Sequence, residues 1–322
     1  MFTNDDDKTF NSRIFIIENS FSMNTKAWLQ AFRLRTLPLA LSSILMGGFL
    51  AASARAFQWS IFLLCVATTI FLQVLSNLAN DYGDSINGAD HAERKGPSRA
   101  VQSGAISAQQ MKAAVILFVL LSLASGISLL LVSFGWDWSS LLFFLGLGVL
   151  SIAAAIAYTV GKKPYGYAGL GDFSVLIFFG LVGVMGSFYL FNKSISWLEI
   201  LPALSCGFFS IAVLNINNIR DIESDRMAEK FSIPVRIGRE KAVVYHWLLL
   251  VSGVGASIVY MALTYRSPLQ FLFCIVIVLF LRNGLAVSQK PSTELDPYLK
   301  QLALSTLLFV VLFGVGLMIS IN

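Results

Sequence analysis

The stretch FQWSIFLLCVATTIFLQVLSNLANDYGDSINGAD, residues 57–90, sets a long apolar run directly against a cluster of carboxylates and amides. A helix of about 20 apolar residues crosses the ~30 Å hydrocarbon layer of a bilayer, and residues 57–79 supply one. If that helix continues into the polar half, Asn77, Asn80, Asp81 and Asp84 recur at i, i+3, i+4 and i+7 and share one face. The following Asn87-Gly88 favours a turn that folds Asp90 back toward them. Ionisable groups at membrane depth are costly and by default mark function. The segment therefore predicts a membrane helix with a site built on its end.

The rest of the chain has the same character. With 322 residues, 56% of them apolar and only 13% charged, and a mean hydropathy of +0.73, there are too few charges to cover a soluble globule. Nine apolar runs are predicted to span, at residues 31–54, 57–79, 111–134, 139–159, 171–191, 197–217, 243–264, 267–287 and 299–320, which makes the fold class all-α and polytopic. Lys and Arg near span ends set orientation. With the N-terminus inside and the C-terminus outside, all 23 basic residues but Arg55, Lys193 and Arg266 fall on the cytoplasmic side. That distribution accounts for the net charge of +5 and leaves no need for a nucleic-acid partner. Residues 1–25 are expected to be a polar, disordered extension without a signal peptide, and residues 26–322 one transmembrane domain in contact with membrane lipid. Cys65, Cys206 and Cys274 lie in apolar runs with no CxxC pair, and His91 and His246 are isolated, so none of them suggests a metal site.

Two connections are long, polar and basic, at residues 80–110 and 218–242. Four spans separate them, so they emerge on the same side. The second opens with LNINNIRDIESDR, residues 214–226, where Asn217, Asp221 and Asp225 stand at i, i+4 and i+8. This is a weak internal repeat of the first cluster and suggests two helical halves facing one cavity. Facing carboxylates repel unless a cation sits between them, and Mg²⁺ takes one or two carboxylates together with substrate phosphates. A pair of Mg²⁺ ions bridging a diphosphate fits Asp84, Asp221 and Asp225, with Asp81 and Asp90 as further candidates for the first ion.

Phosphate oxygens need more than metal. Arg94, Lys95, Arg99, Lys162, Lys163, Arg220, Arg226 and Arg236 lie on the same loops, some for phosphate and some obeying only the positive-inside rule. Lys162 stands out because Tyr158 precedes it by one helical turn. The amides Asn77 and Asn217 are candidate substrate contacts. Asp172, after the GLGD turn, either satisfies a helix N-terminus or orients an acceptor hydroxyl. Arg35, in RLRTLPL at residues 33–39, either snorkels or meets an anionic substrate group.

Three stretches, SNLANDYGD with GPSR (residues 96–99), YTVGKKPYGYAGLGD (residues 158–172) and LNINNIRDIESDR with VRIGR (residues 235–239), resemble the UbiA superfamily of intramembrane aromatic prenyltransferases. The middle one points to the menaquinone branch. The family's first motif is NDxxDxxxD, whereas here the position four after Asp84 is Gly88 and the next carboxylate is Asp90. The resemblance implies a nine-helix bundle open laterally for a prenyl tail and a place in the bacterial inner membrane. It implies Asn80 with Asp84 in one metal site, Asp221 with Asp225 in the other, and Lys162 on the diphosphate. The activity it implies is Mg²⁺-dependent transfer of a polyprenyl group from its diphosphate to 1,4-dihydroxy-2-naphthoate, with loss of carbon dioxide. Alternatives are another aromatic acceptor, such as a hydroxybenzoate or homogentisate, and a polytopic transporter. The DGxxAR pattern of CDP-alcohol phosphotransferases is absent.

Overall fold

A computed structural model describes residues 24–87 and 99–320. Residues 1–23, which make up most of the expected extension, lie outside the described residues, as do Asp90, His91, Arg94 and Lys95. Among the described residues the chain is all-α, and nine segments are long and apolar enough to cross a membrane. In chain order these are a first span, Thr25–Ser53, built from α1 (Thr25–Phe32) and α2 (Leu37–Ser53), then α3 (Trp59–Ile86), α4 (Ala108–Phe134), α5 (Trp138–Ala157), α6 (Gly171–Asn192) and α7 (Trp197–Arg220). Two short helices follow, α8 (Ile222–Met227) and α9 (Ile233–Ile237), before α10 (Arg239–Leu263), α11 (Pro268–Gln289) and α12 (Asp296–Ile319). The ends differ by a few residues from those read off hydropathy, chiefly because polar turns continue the helices past their apolar stretches.

Three of the long helices share a polarity. Each of α3, α5 and α7 begins at an exposed tryptophan, Trp59, Trp138 or Trp197, and runs toward the polar loops. Exposed indoles favour the membrane–water interface, so one end of the bundle carries an aromatic belt and the other the carboxylates. The dry core lies among the first span, α7, α11 and α12. There Phe209, Phe273, Phe309 and Phe313 are fully buried, with Phe209–Phe309 and Phe273–Phe309 edge-to-face at 5.0 and 4.9 Å. Dispersion and close approach bind helices in lipid, where burial of apolar surface adds little. The close approach is visible where Gly180 on α6 meets Gly207 on α7: a Cβ at Gly180 lies 2.8 Å from the Ala203 carbonyl.

Helix α6 is π-helical over Leu176–Gly186. Such wide turns are rare and favour functional sites, and this one lines a central cavity of about 480 Å³. Helix α5 also lines the cavity. It meets α6 where Phe144 stacks on Tyr189 at 5.3 Å and where Tyr165 Oη bonds both the Ala154 carbonyl, at 2.9 Å, and Ser174 Oγ, at 3.0 Å. Helices α4 and α5 turn most of their surface outward, toward lipid.

Candidate active site

The helix that opens on Trp59 does continue through the first polar cluster and ends only at Ile86. It can do so because its flank is tightly supported. Thr159 donates to the Ala79 carbonyl at 3.1 Å and to Asn80 Oδ1 at 3.2 Å, and Asn87 Nδ2 donates to the Thr159 carbonyl at 2.7 Å. Gly83 admits this contact, since a Cβ there lies 2.6 Å from Thr159 Oγ1 and 2.7 Å from its carbonyl. Gly83→Ala is expected to push the two backbones apart and to cost about 1–3 kcal/mol. A lowered thermal midpoint of the purified protein measures this.

The four residues on that helix divide between two directions. Asn77, Asn80 and Asp84 line the cavity. Asp84 accepts from Tyr167 Oη at 2.6 Å and pairs with Arg99. Asp81 does not line the cavity: its Oδ2 accepts from the Ala100 amide at 3.2 Å, which ties the returning loop to the helix. Positions three apart are only roughly superposed on a helix, and their offset of about 60° is enough to separate Asp81 from Asp84.

In the second cluster, α7 breaks at Asp221 (φ −100, ψ 13), yet the Asp221 amide still reaches the Asn217 carbonyl at 3.1 Å and the Asp225 amide the Asp221 carbonyl at 2.8 Å. Helical spacing thus survives the kink. Asp221 receives Arg220 through two contacts, at 2.8 and 2.7 Å. Arg220 also donates to Asn217 Oδ1 at 2.8 Å and to Asp296 at 2.6 Å, and Asp296 in turn pairs with Arg35 at 2.9 Å. Arg220 is therefore committed within the protein and does not reach the cavity, whereas Arg35 and Asn217 line it. Asp296, which ties the start of α12 into this chain of charges, was not legible as a site residue because a carboxylate at a helix start has an ordinary explanation.

Asp225 pairs through Oδ1 with Lys230 Nζ at 3.1 Å, and both are largely buried. The turn after α8 brings them together. Lys230 N–H bonds the Asp225 carbonyl at 2.8 Å and Glu229 N–H the Arg226 carbonyl at 3.2 Å, with Glu229 left-handed at φ 53. This closure normally uses glycine, so no residue signalled it, and a spacing of five residues does not suggest a shared face. Lys230 lines the cavity and senses Asp84 as well as Asp225. Burial raises the Asp225 carboxyl above its usual range despite Lys230, and Asp221 and Asp84 push it the same way. Burial opposes the Lys230 charge, but Asp225, Tyr158 and Asp84 outweigh it and raise its pKa. Among the described residues, Asp225 Oδ2 and Asn218 Oδ1 are buried without a hydrogen bond.

The middle stretch closes the site. The Phe231 amide bonds the Tyr167 carbonyl at 2.8 Å and Arg236 the Ala168 carbonyl at 2.8 Å, so all three stretches singled out in the sequence meet at one end of the cavity. Tyr158 lines the cavity beside Lys230, and burial raises its hydroxyl to about 12. Tyr167, raised by burial and by Asp84, remains a hydrogen-bond donor to that carboxylate. Helix α5 ends at Ala157, so the helical turn expected to carry Lys162 beneath Tyr158 does not form. Lys162 and Lys163 are exposed and away from the cavity. Arg226 is an exposed partner of Glu223 at 3.7 Å. Asp172 sits in the first turn of α6, accepts from Tyr245 at 2.8 Å and does not line the cavity, which favours its helix-start reading.

No group of three or more His, Cys, Asp or Glu side chains forms a ready metal cage among the described residues. Mg²⁺ bound together with substrate phosphates needs only one or two carboxylates. Asp84 lines the cavity, whereas Asp221 and Asp225 do not; Asp225 lies behind Lys230, and its buried Oδ2, crowded by two other carboxylates and without a hydrogen bond, fits a cation. Below this polar end the cavity is lined by Leu130, Ile152, Phe178 and Val182 among other apolar groups. The arrangement can hold a compact polyanion at its mouth and a hydrocarbon chain within.

The UbiA prenyltransferase family model matches residues 40–307. A 1,4-dihydroxy-2-naphthoate octaprenyltransferase of Haemophilus influenzae is 47% identical, over 91% of this chain and 96% of its own length. The enzyme of that name from Escherichia coli is 42% identical over 92% and 96%. Among solved structures, a UbiA homologue of Archaeoglobus fulgidus bound to GPP and Mg²⁺ superposes with a TM-score of 0.63 at 15% identity, covering 91% of this chain and 99% of that one. A UbiA homologue of Aeropyrum pernix superposes with a TM-score of 0.61 at 18% identity, over 87% and 98%. Nine apolar spans, the paired polar clusters and a family match over most of the sequence lead to one conclusion: the chain belongs to the UbiA prenyltransferase family.

Proposed function

We propose that this protein transfers a polyprenyl group from its diphosphate to 1,4-dihydroxy-2-naphthoate, giving a demethylmenaquinone. The observation that carries the reading is that Asp84, Arg99 and Lys230 line the polar end of an otherwise apolar cavity, with Asp225 paired to Lys230 behind them. The names of the two bacterial relatives supply the acceptor.

Lys230 and Arg99 bind the diphosphate and hold its growing negative charge as the allylic carbon–oxygen bond breaks and the electron pair leaves with oxygen. Asp84 and Asn80 on the cavity wall, with Asp225 behind Lys230, would hold Mg²⁺, two ions in this reading, with Asp221 fixed by Arg220. Bound Mg²⁺ supplies further neutralisation of the leaving group. The apolar walls align the prenyl chain and exclude water from the allylic cation. The electron-rich ring carbon bearing the carboxylate forms the new carbon–carbon bond, and carbon dioxide departs, leaving its bonding pair to the ring. No proton has to be removed at that carbon, so the chemistry needs no base at Asp172. Arg35, which lines the cavity and pairs with Asp296, is the residue placed to meet an anionic acceptor.

The exposed tryptophans at one end and the basic loops at the other support an N-in, C-out chain with its site toward the cytoplasm, in the bacterial inner membrane. Pyrophosphate release by the purified protein tests the reading. It is expected only when Mg²⁺, a polyprenyl diphosphate and the naphthoate are all present, and chelation should stop it. Movement of the diphosphate lipid without turnover would indicate a transporter. A preference for hydroxybenzoate or homogentisate would reassign the acceptor while keeping the transferase.

A further inference from the structure

A second groove, of about 420 Å³, lies on the outer surface where α11 meets the start of α12. It is lined by Val278, Leu281, Arg282 and Leu285 along α11, with Lys290 and Tyr298 closing its end. The apolar side chains are strongly exposed, 68% for Val278, 48% for Leu281 and 51% for Leu285, as expected of a face turned to lipid. Arg282 stands among them, itself exposed, and makes no ion pair or side-chain hydrogen bond among the described residues. It lies seven residues before Gln289, the last residue of α11, or about 10 Å along the axis. A guanidinium on a lipid-facing surface at that depth requires an anion or water, and its side chain snorkels toward the helix end to find one. Lys290, one step beyond the helix, adds positive charge there, although Glu294 shares it at 3.0 Å.

We infer that this groove binds one anionic phospholipid, its phosphate on Arg282 and Lys290 and an acyl chain along Val278, Leu281 and Leu285. Charge complementarity selects the headgroup, and the exposed apolar row, continuous with the cation, selects a lipid over a soluble anion. The groove is separate from the central cavity, shares no lining residue with it, and takes no part in the prenyl transfer proposed above.

Native mass spectrometry of the full chain in mild detergent tests the site with phosphatidylglycerol and phosphatidylcholine of identical acyl chains. One phosphatidylglycerol is expected to be retained at about fivefold lower lipid concentration than phosphatidylcholine, the ratio for about 1 kcal/mol of attraction to one basic residue near a membrane surface, Arg282, since Glu294 offsets Lys290. Arg282→Gln should remove the preference and Arg282→Lys should keep part of it. Equal retention of the two lipids by the wild type, or an unchanged preference in Arg282→Gln, overturns the site. Inorganic phosphate at the same concentration should not displace the lipid, and displacement by it means a free-anion site instead. Saturation with a prenyl diphosphate should also leave the bound lipid in place, whereas its loss puts the lipid in the central cavity. If Arg282→Gln does not fold, Leu285→Trp, which fills the groove and keeps the cation, is the second variant. Full phosphatidylglycerol retention in that variant likewise overturns the proposal.

Discussion

Asp225→Ala is expected to reduce Mg²⁺-dependent turnover by about 10³-fold or more while the protein still inserts in the membrane. Loss of one well-placed electrostatic contact to a transition state costs about 10²–10³-fold. Asp225 supplies two effects together, a buried oxygen without a hydrogen-bond partner that would take the cation and the anion that holds Lys230 at the cavity wall. Asp84→Ala is expected to match it, because Asp84 organises both Arg99 and Tyr167. Membrane-extraction yield and steady-state turnover with both substrates separate insertion from catalysis. Undiminished turnover in either variant contradicts the placement of the metal.

Lys230→Met carries the second large effect. Removing one partner of a buried ion pair costs about 3–5 kcal/mol, because the remaining charge is left uncompensated. Here that charge is Asp225, already held above its usual range by burial and by its two neighbouring carboxylates. The single variant should unfold at a clearly lower temperature and lose about 10²-fold in turnover. Addition of Asp225→Asn removes the uncompensated charge. The double variant should recover most of the stability and none of the activity, a non-additivity of the kind that contacting residues show. A double variant as unstable as the single one means that the two groups do not act as a pair.

The all-α class, the spans and the first carboxylate helix were legible because apolar length and helical spacing are local properties. Asp84 and Asp225 followed from the same spacing; Asp84 lines the cavity and Asp225 pairs with Lys230 beside it. Asp81 shows the limit of that reasoning, since a shared face is broad enough to include a residue that ties down a loop. Lys162 fails for a different reason: its register depended on a helix that ends at Ala157. Arg220 is a phosphate candidate on charge alone, but it pairs with its neighbour Asp221 and with Asp296 at the start of α12, and the second partner is visible only in three dimensions. Lys230 is the converse case. A left-handed turn at Glu229, without the glycine that usually marks one, folds it back onto Asp225, and no spacing rule reaches across such a turn.

Prenyl transfer with decarboxylation is tested most directly by the mass of the product. Purified protein would be given Mg²⁺, 1,4-dihydroxy-2-naphthoate and a mixture of polyprenyl diphosphates of different lengths. The expected product is a prenylated naphthalenediol lacking the carboxyl group, formed together with stoichiometric pyrophosphate and carbon dioxide. A prenylated product that retains its carboxylate contradicts attack at the carboxylated carbon. Recovery of both substrates unchanged, from protein that binds the diphosphate, contradicts the transferase itself.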